Sequence, residues 1–229
     1  MTMWWRVLLV LIGKEVRLEC RGREFVTLLG CNAIMMALLV GAGVSSAVLD
    51  PLTTKKIFPM LLWVVFLLSA TIAVARASES ELEGRGFEGL LLAGVSGAQM
   101  YLAKVVVTTF LFLGDFVVLS AILSASLDQP MVSSLGDLLT IGFGSSLALA
   151  ALVVLLVGIA GTSKLRGVLI PILALPLLFP LFFAGVEMTT QIVIRGVLDF
   201  GDIWPSIMIC TNALYILVGI NLFEVAIRD

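Results

Sequence analysis

The most constraining feature of this sequence is a series of six separate apolar segments, each near the ~20 residues that a helix needs to cross a bilayer. The segments are residues 25–48, 57–74, 100–123, 138–159, 168–186 and 204–223. Backbone inside hydrocarbon must satisfy its own hydrogen bonds. The short alternating segments of a membrane β-barrel, about ten residues each, are not visible. The sequence therefore predicts an all-α membrane protein with six transmembrane helices, formed by residues 1–229 as a single permease-like domain.

Composition supports a lipid environment. The chain is 60% hydrophobic and 13% charged, whereas a soluble domain has about 45–50% apolar and about 25% charged residues. A chain of 229 residues has too high a surface-to-volume ratio to hide so much apolar surface from water. The net charge of −2 gives no reason to expect nucleic acid as a partner. The expected surrounding partner is the lipid bilayer.

The distribution of basic residues predicts the orientation of the spans, because cytoplasmic flanks of membrane proteins are enriched in Lys and Arg. With six spans, one side receives eleven of the 14 basic residues, and the other receives only Lys55, Lys56 and Arg195. Both termini are therefore expected in the cytoplasm.

The segment before the first span has the pattern of an amphipathic helix. Its apolar residues recur at helical spacing: Trp5, Leu8, Leu9, Ile12 and Val16. Paired tryptophans suit the headgroup region. We expect residues 4–23 to lie as an interfacial helix on the cytoplasmic leaflet, either as an anchor or as a docking element for a partner.

The longest cytoplasmic connection, residues 78–97, combines acidic and apolar residues. Its glutamates are opposed by one arginine, and a short apolar patch follows: Glu79, Glu81, Glu83, Arg85, Glu88, Leu90, Leu91 and Leu92. An acidic helix with an apolar patch fits a partner protein better than a negatively charged leaflet, although a solvated loop is the alternative. Ser96 and Gln99 then have the spacing of a capping box that opens the third span.

The fifth span carries Pro171, Pro176 and Pro180. Each proline removes a backbone hydrogen bond and crowds the preceding turn, so we expect a kinked or broken helix, either static or moving and facing substrate. Residues 187–202, beginning with Glu187, are expected to follow as a re-entrant segment of short helices on the periplasmic side.

Asp115 is the strongest functional candidate within the membrane. A central aspartate costs roughly 2.5–3.5 kcal/mol on the insertion scale, which the surrounding Val, Leu and Phe residues outweigh. Intramembrane ionisable residues are rare and often functional, but pairing across helices for structure alone is an equal alternative.

The sequence contains no motif for catalysis. There is no histidine, which removes the commonest general base and metal ligand. There is also no phosphate-binding G-x-x-x-x-G-K-[ST] loop. We therefore expect neither an enzyme nor a metal site, and no catalytic residue is assigned.

Three regions resemble the ABC-2 class of ATP-driven exporters and, more narrowly, the heme exporter protein B family. They are MWWRVLLVLIGKEVRLECRGRE at the start, EGRGFEGLLLAGVSGAQMYLAKV before and within the third span, and RGVLIPILALPLLFPLFFAGVE in the fifth. The proline-spaced region is the most specific of the three. Around Gly94 to Gly97 the family usually has prolines, and this chain has none.

The resemblance implies an inner-membrane permease subunit acting in bacterial cytochrome c maturation. It implies two copies of an ATP-binding cassette ATPase, with ATP bound on that separate subunit. These copies would grip a coupling element that includes the following residues: Glu79, Glu83, Arg85, Gly86, Glu88 and Leu91. Further implied partners are a periplasmic haem chaperone and, to form the pore, either a second permease copy or a different haem-handling membrane subunit. ATP would drive either haem export or the release of haem from its chaperone, so haem would be a substrate and not a resident cofactor.

Two other functions fit the residues. The chain could belong to an ABC-2 exporter of a drug, lipid or polysaccharide, or it could be a scaffold that assembles other membrane subunits without transport.

Overall fold

The computed structural model describes residues 2–22, 24–47, 50–80, 95–129, 134–160 and 166–228, and throughout these residues the regular structure is helical, without β-strands. The helices are α1 (Thr2–Gly22), α2 (Glu24–Ser46), α3 (Pro51–Ser80), α4 (Gly97–Ser126), α5 (Leu135–Ala160), α6 (Arg166–Arg195) and α7 (Ile203–Arg228). The predicted all-α fold is confirmed over the described part of the chain.

Six of these helices are long and apolar enough to cross a membrane. The apolar stretches are Val26–Ser46, Pro51–Thr71, Gly97–Ser126, Leu135–Gly158, Pro176–Arg195 and Ile203–Phe223. Each coincides with one predicted span, although the helices extend further than the predicted segments at most ends. The predicted number of spans is confirmed, while the placement of the termini in the cytoplasm stays a prediction.

Helix α5 is the centre of the bundle. In its apolar stretch 78% of the residues are buried, against 22% in α2 and 28% in α7. It packs against α4, α6 and α7, and small residues allow the close approach: at Gly142, an added Cβ would lie 2.5 Å from the ring of Phe116 on α4. Close packing through small residues is the usual basis of helix association in membranes. The outer helices α2 and α7 leave apolar side chains such as Leu39 and Leu217 exposed.

The two ends of the bundle are defined by contacts between helix termini. At one end, called here the α1 end, Leu8 and Leu11 of α1 pack against Ala103 near the start of α4. At the opposite end, Ser45 of α2 donates a hydrogen bond of 2.9 Å to the carbonyl of Ser126, where α4 ends. Helices α2 and α4 therefore run parallel to each other. Helix α1 covers most of the segment that was predicted to be amphipathic, and its position in the membrane interface stays a prediction.

The fifth span is not broken, whereas a kink at its prolines, the other form that the prediction allowed, stays a prediction. Helix α6 runs without interruption from Arg166 to Arg195, through all three prolines. It also continues past the predicted end at residue 186, so residues 187–195 extend this helix instead of forming separate short helices. The three prolines lack the N–H groups that would bond to the carbonyls of residues 167, 172 and 176. On α7, the hydroxyl of Tyr215 donates a hydrogen bond to the next carbonyl along the chain, that of Leu177.

Candidate functional site

Asp115 lies in the interior of the bundle, at the end of a chain of hydrogen bonds across three helices. The amide of Asn32 on α2 donates to the hydroxyl of Ser69 on α3 over 3.2 Å, and that hydroxyl donates to Oδ1 of Asp115 on α4 over 3.0 Å. Ser69 is fully buried and Asp115 is 3% exposed. The second carboxyl oxygen, Oδ2, is buried and has no hydrogen-bond partner. Asp115 thus lies within a helix that is long and apolar enough to cross a membrane, and it packs across helices; its position within a membrane stays a prediction.

An aromatic cluster lies beside Asp115 and joins α3 to α4. The rings of Trp63 and Phe66 on α3 meet that of Phe116 on α4, with centroid separations between 5.3 and 5.9 Å. All three side chains are fully buried. Such edge and tilted contacts add about 0.5–1.5 kcal/mol for each pair beyond the area that they bury. The cluster makes the α3–α4 contact around Asp115 a rigid one.

Trp63 also fixes α3 against the proline-containing helix α6. Its indole N–H donates to the hydroxyl of Thr189 over 3.0 Å, and this hydroxyl donates to the carbonyl of Gly185 over 2.8 Å. A Cβ at Gly185 would lie 2.1 Å from the indole ring. The glycine is therefore required for the close approach of the two helices.

The two tyrosines of the chain connect the remaining helices. The hydroxyl of Tyr101 on α4 lies 3.0 Å from the carbonyl oxygen of Ala151 on α5 and 3.1 Å from that of Tyr215 on α7. Its single proton can serve only one of these acceptors at a time. The hydroxyl of Tyr215 in turn donates to the carbonyl of Leu177 on α6. This tyrosine link, Tyr101–Tyr215–Leu177, reaches from the start of α4 to the proline-containing region of α6.

The start of α4 is firmly attached to α1. Ser96 and Gln99 form the predicted capping box, with both reciprocal hydrogen bonds present, so this prediction is confirmed. The amide of Gln99 also donates to the carbonyl of Trp4 over 3.2 Å. One turn further along, the ammonium group of Lys104 lies 3.8 Å from a carboxylate oxygen of Glu15. The residues that follow segment 78–97 are thus joined to α1 as one unit.

At the opposite end of the bundle, the connection between α6 and α7 is held by side chains. Asp137 on α5 accepts a hydrogen bond of 3.1 Å from the backbone N–H of Leu198, and Ser134 donates one of 3.0 Å to the carbonyl of Gly196. This connection exposes the apolar side chains of Val197 and Phe200. A re-entrant position for it stays a prediction.

The structure places the predicted site residues in three different environments. Glu83, Arg85, Gly86, Glu88 and Leu91 lie outside the described residues, and of Glu79 and Pro171 only the helical backbone is described. Pro176, Pro180 and Glu187 have exposed side chains on α6, so in this arrangement they do not line the interior. Asp115 is the predicted intramembrane candidate that the structure places there.

Sequence analysis missed Ser69, Trp63, Tyr101 and Tyr215 as contributors to the polar interior. A signal for the tyrosines was available, because a hydroxyl deep in an apolar span must find a hydrogen-bond partner. No comparable signal identified Ser69, since its contact with Asp115 depends on how two helices pack. Among the described residues, no three His, Cys, Asp or Glu side chains come together as metal ligands.

Comparison with known protein families gives one match. The family described as CcmB protein matches residues 6–227, nearly the whole chain. A comparison with curated proteins found no match.

Proposed function

The chain belongs to the CcmB protein family, and from this premise we propose that it transmits the energy of ATP hydrolysis on a separate subunit to the handling of haem. The family identifies a multi-pass membrane permease subunit of haem export in cytochrome c maturation, and not an enzyme in itself. The proposal adds how such a subunit is driven, where the driving partner binds and how movement reaches the membrane interior.

The proposed docking element is segment 78–97, whose acidic residues include Glu83 and Glu88. It connects α3 to α4 at the α1 end of the bundle, which the distribution of basic residues predicts to be cytoplasmic. Two copies of an ATP-binding cassette ATPase would grip this segment, and both termini would lie on the same side. Haem would be the substrate, handled together with a membrane partner and a periplasmic chaperone in the bacterial inner membrane, with a second permease copy completing the assembly.

The observation that carries the proposal is the attachment at the start of α4. The capping box at Ser96 begins this helix directly after segment 78–97, and Gln99 and Lys104 join it to α1. A force applied to the segment would therefore move α1 and α4 together instead of unwinding the end of one helix.

The tyrosine link offers the route from there into the bundle. Tyr101 lies two residues beyond Gln99 and contacts both α5 and α7. Tyr215 on α7 in turn donates a hydrogen bond to the α6 backbone. Movement of α4 would then change the support of the α6 backbone near Pro176 and Pro180. The tyrosine link therefore connects the start of α4 to the α6 backbone through direct contacts, and the proposal requires these two regions to be coupled.

Charge reversal in the docking segment tests the proposal. We expect Glu83→Lys combined with Glu88→Lys to abolish co-purification of an ATPase subunit and haem attachment to cytochrome c. Lys56→Glu, which reverses an exposed charge at the opposite end of the bundle, is the matched control and should leave both unchanged. If the double reversal retains full ATPase binding and haem delivery, docking on this segment is wrong.

A second variant tests transmission separately from docking. Tyr215→Phe removes only the hydroxyl that contacts the Leu177 carbonyl. We expect the variant to retain the ATPase subunit but to deliver several-fold less haem for each ATP hydrolysed. An unchanged ratio of haem delivered to ATP consumed would exclude the tyrosine link as the route.

A further inference from the structure

The Asp115 carboxyl is buried, and no described side chain brings a compensating charge to it. Within the described part of the chain, its hydrogen bond comes from the neutral hydroxyl of Ser69, which is itself oriented by the neutral amide of Asn32. The other oxygen, Oδ2, has no partner. An isolated carboxylate in an apolar interior is so costly that such a group normally takes up a proton instead.

In the described apolar stretches of the helices that pack around α4, no basic side chain lies beside Asp115; of Arg76, seven residues beyond Ser69 on α3, only the helical backbone is described. The ionisable groups in the apolar stretches of these helices are Cys31 on α2, Lys55 and Lys56 on α3, Asp137 on α5, and Cys210 and Tyr215 on α7. Both lysines lie in the first turns of α3, and Asp137 lies in the first turn of α5, all at the opposite end of the bundle. On α4 itself, Lys104 lies eleven residues before Asp115 and approaches Glu15.

A metal ion fits these surroundings poorly. Hard cations such as Ca²⁺ require about six to eight oxygen ligands, whereas a single carboxyl and one serine hydroxyl meet here. Among the described residues, no acidic cluster supplies the missing ligands. A proton needs only one acceptor oxygen and removes the charge completely.

We propose that Asp115 is an exchangeable proton-binding site in the centre of the bundle, occupied by a proton when α3 and α4 pack as they do here. The proton comes from water and returns to water, so no other reactant is required. Ser69 holds the carboxyl by donating to Oδ1, which leaves Oδ2 to carry the proton. Asn32 is partly exposed at the edge of α2, and it provides the end of the hydrogen-bond chain at which exchange with the outside begins.

Infrared spectroscopy of the full-length protein in lipid bilayers, with ¹³C in the aspartate side-chain carboxyls, tests the site without any mutation. At pH about 6, an aspartate with the ordinary pKa of about 3.9 is ionised and contributes only carboxylate bands. We expect one additional band of a protonated carboxyl that moves with the isotope label. If all aspartate intensity appears as carboxylate, the proposal is wrong.

Two further measurements assign the band and test exchange. Asp115→Asn, which resembles the neutral carboxyl in shape, should remove the band, and Ser69→Ala should shift it by deleting the hydrogen bond to Oδ1. Transfer into heavy water should shift the band as the proton is replaced by a deuteron. A band that survives Asp115→Asn, or one that never exchanges, would contradict the proposal.

Discussion

Replacing Gly185 by alanine should separate α3 from α6, because the added methyl group has no space. The new Cβ would lie 2.1, 2.3 and 2.4 Å from three carbon atoms of the Trp63 indole ring. Carbon atoms in optimal contact are about 3.5–4.0 Å apart. Either the ring or one of the two helices must therefore move by more than an ångström.

The ring has little freedom to move. It is fully buried, its N–H is bonded to Thr189, and Phe66 and Phe116 pack against it. Overpacking a well-packed core costs about 1–3 kcal/mol, occasionally more, and we place this case near 3 kcal/mol. The higher helix propensity of alanine returns about 1 kcal/mol. The expected net loss is about 2 kcal/mol, or a decrease in Tm of about 4–8 °C for a chain of this size.

The assay is thermal unfolding of the purified protein in detergent, followed by loss of its monodisperse chromatographic peak. Gly114→Ala on α4 is the matched control, because a Cβ there meets nothing within 4 Å, and this variant should be neutral or slightly stabilised. Trp63→Leu removes the clashing ring atoms, so the double variant with Gly185→Ala should be about 1–2 kcal/mol more stable than the sum of the single effects. Equal Tm values for Gly185→Ala and Gly114→Ala would refute the packing of α3 against α6.

Two other predictions concern helix starts. Gln99→Leu removes a capping-box partner of Ser96 and the hydrogen bond to the Trp4 carbonyl. We therefore expect added protease to cleave α1 several-fold faster in this variant than in the wild type. The matched change Gln129→Leu, in the connection after α4, should leave α1 protected. At the start of α3, hydrogen bonds from Thr53 lower the pKa of the Asp50 carboxyl. A lowered folded-state pKa means that this stabilisation is complete above the usual aspartate pKa and is lost as the pH falls through the folded value. Amide hydrogen exchange in the first turn of α3 should therefore accelerate when the pH falls below the usual aspartate pKa. The acceleration should be larger in the wild type than in Asp50→Asn. An equal response of the two proteins would contradict the role of the Asp50 carboxylate at the start of α3.

The sequence by itself determined the number of apolar spans, their approximate limits and the membrane environment. These follow from local properties: the length of apolar segments, the obligation of backbone groups to bond within their own helix, and the spacing of Ser96 and Gln99. The resemblance carried by three short regions also identified the family. The position of Asp115 inside a span could be predicted, since only its distance from the ends of the segment mattered.

Only the tertiary structure decided which side chains meet. Ser69, which donates to Asp115, lies 46 positions earlier along the chain, and Asn32, which donates to Ser69, lies 83 positions earlier. Nothing in the local sequence of these residues indicates the contacts. The three prolines predicted a kinked or broken helix because local rules count the lost backbone hydrogen bonds, yet α6 stays continuous through them. Its packing against α3, α5 and α7 joins segments that are distant in the sequence, and local rules do not include it. Interactions between residues close in the sequence determine where helices form. Close packing between helices that are distant in the sequence, through glycines such as Gly185, determines which side chains meet in the interior.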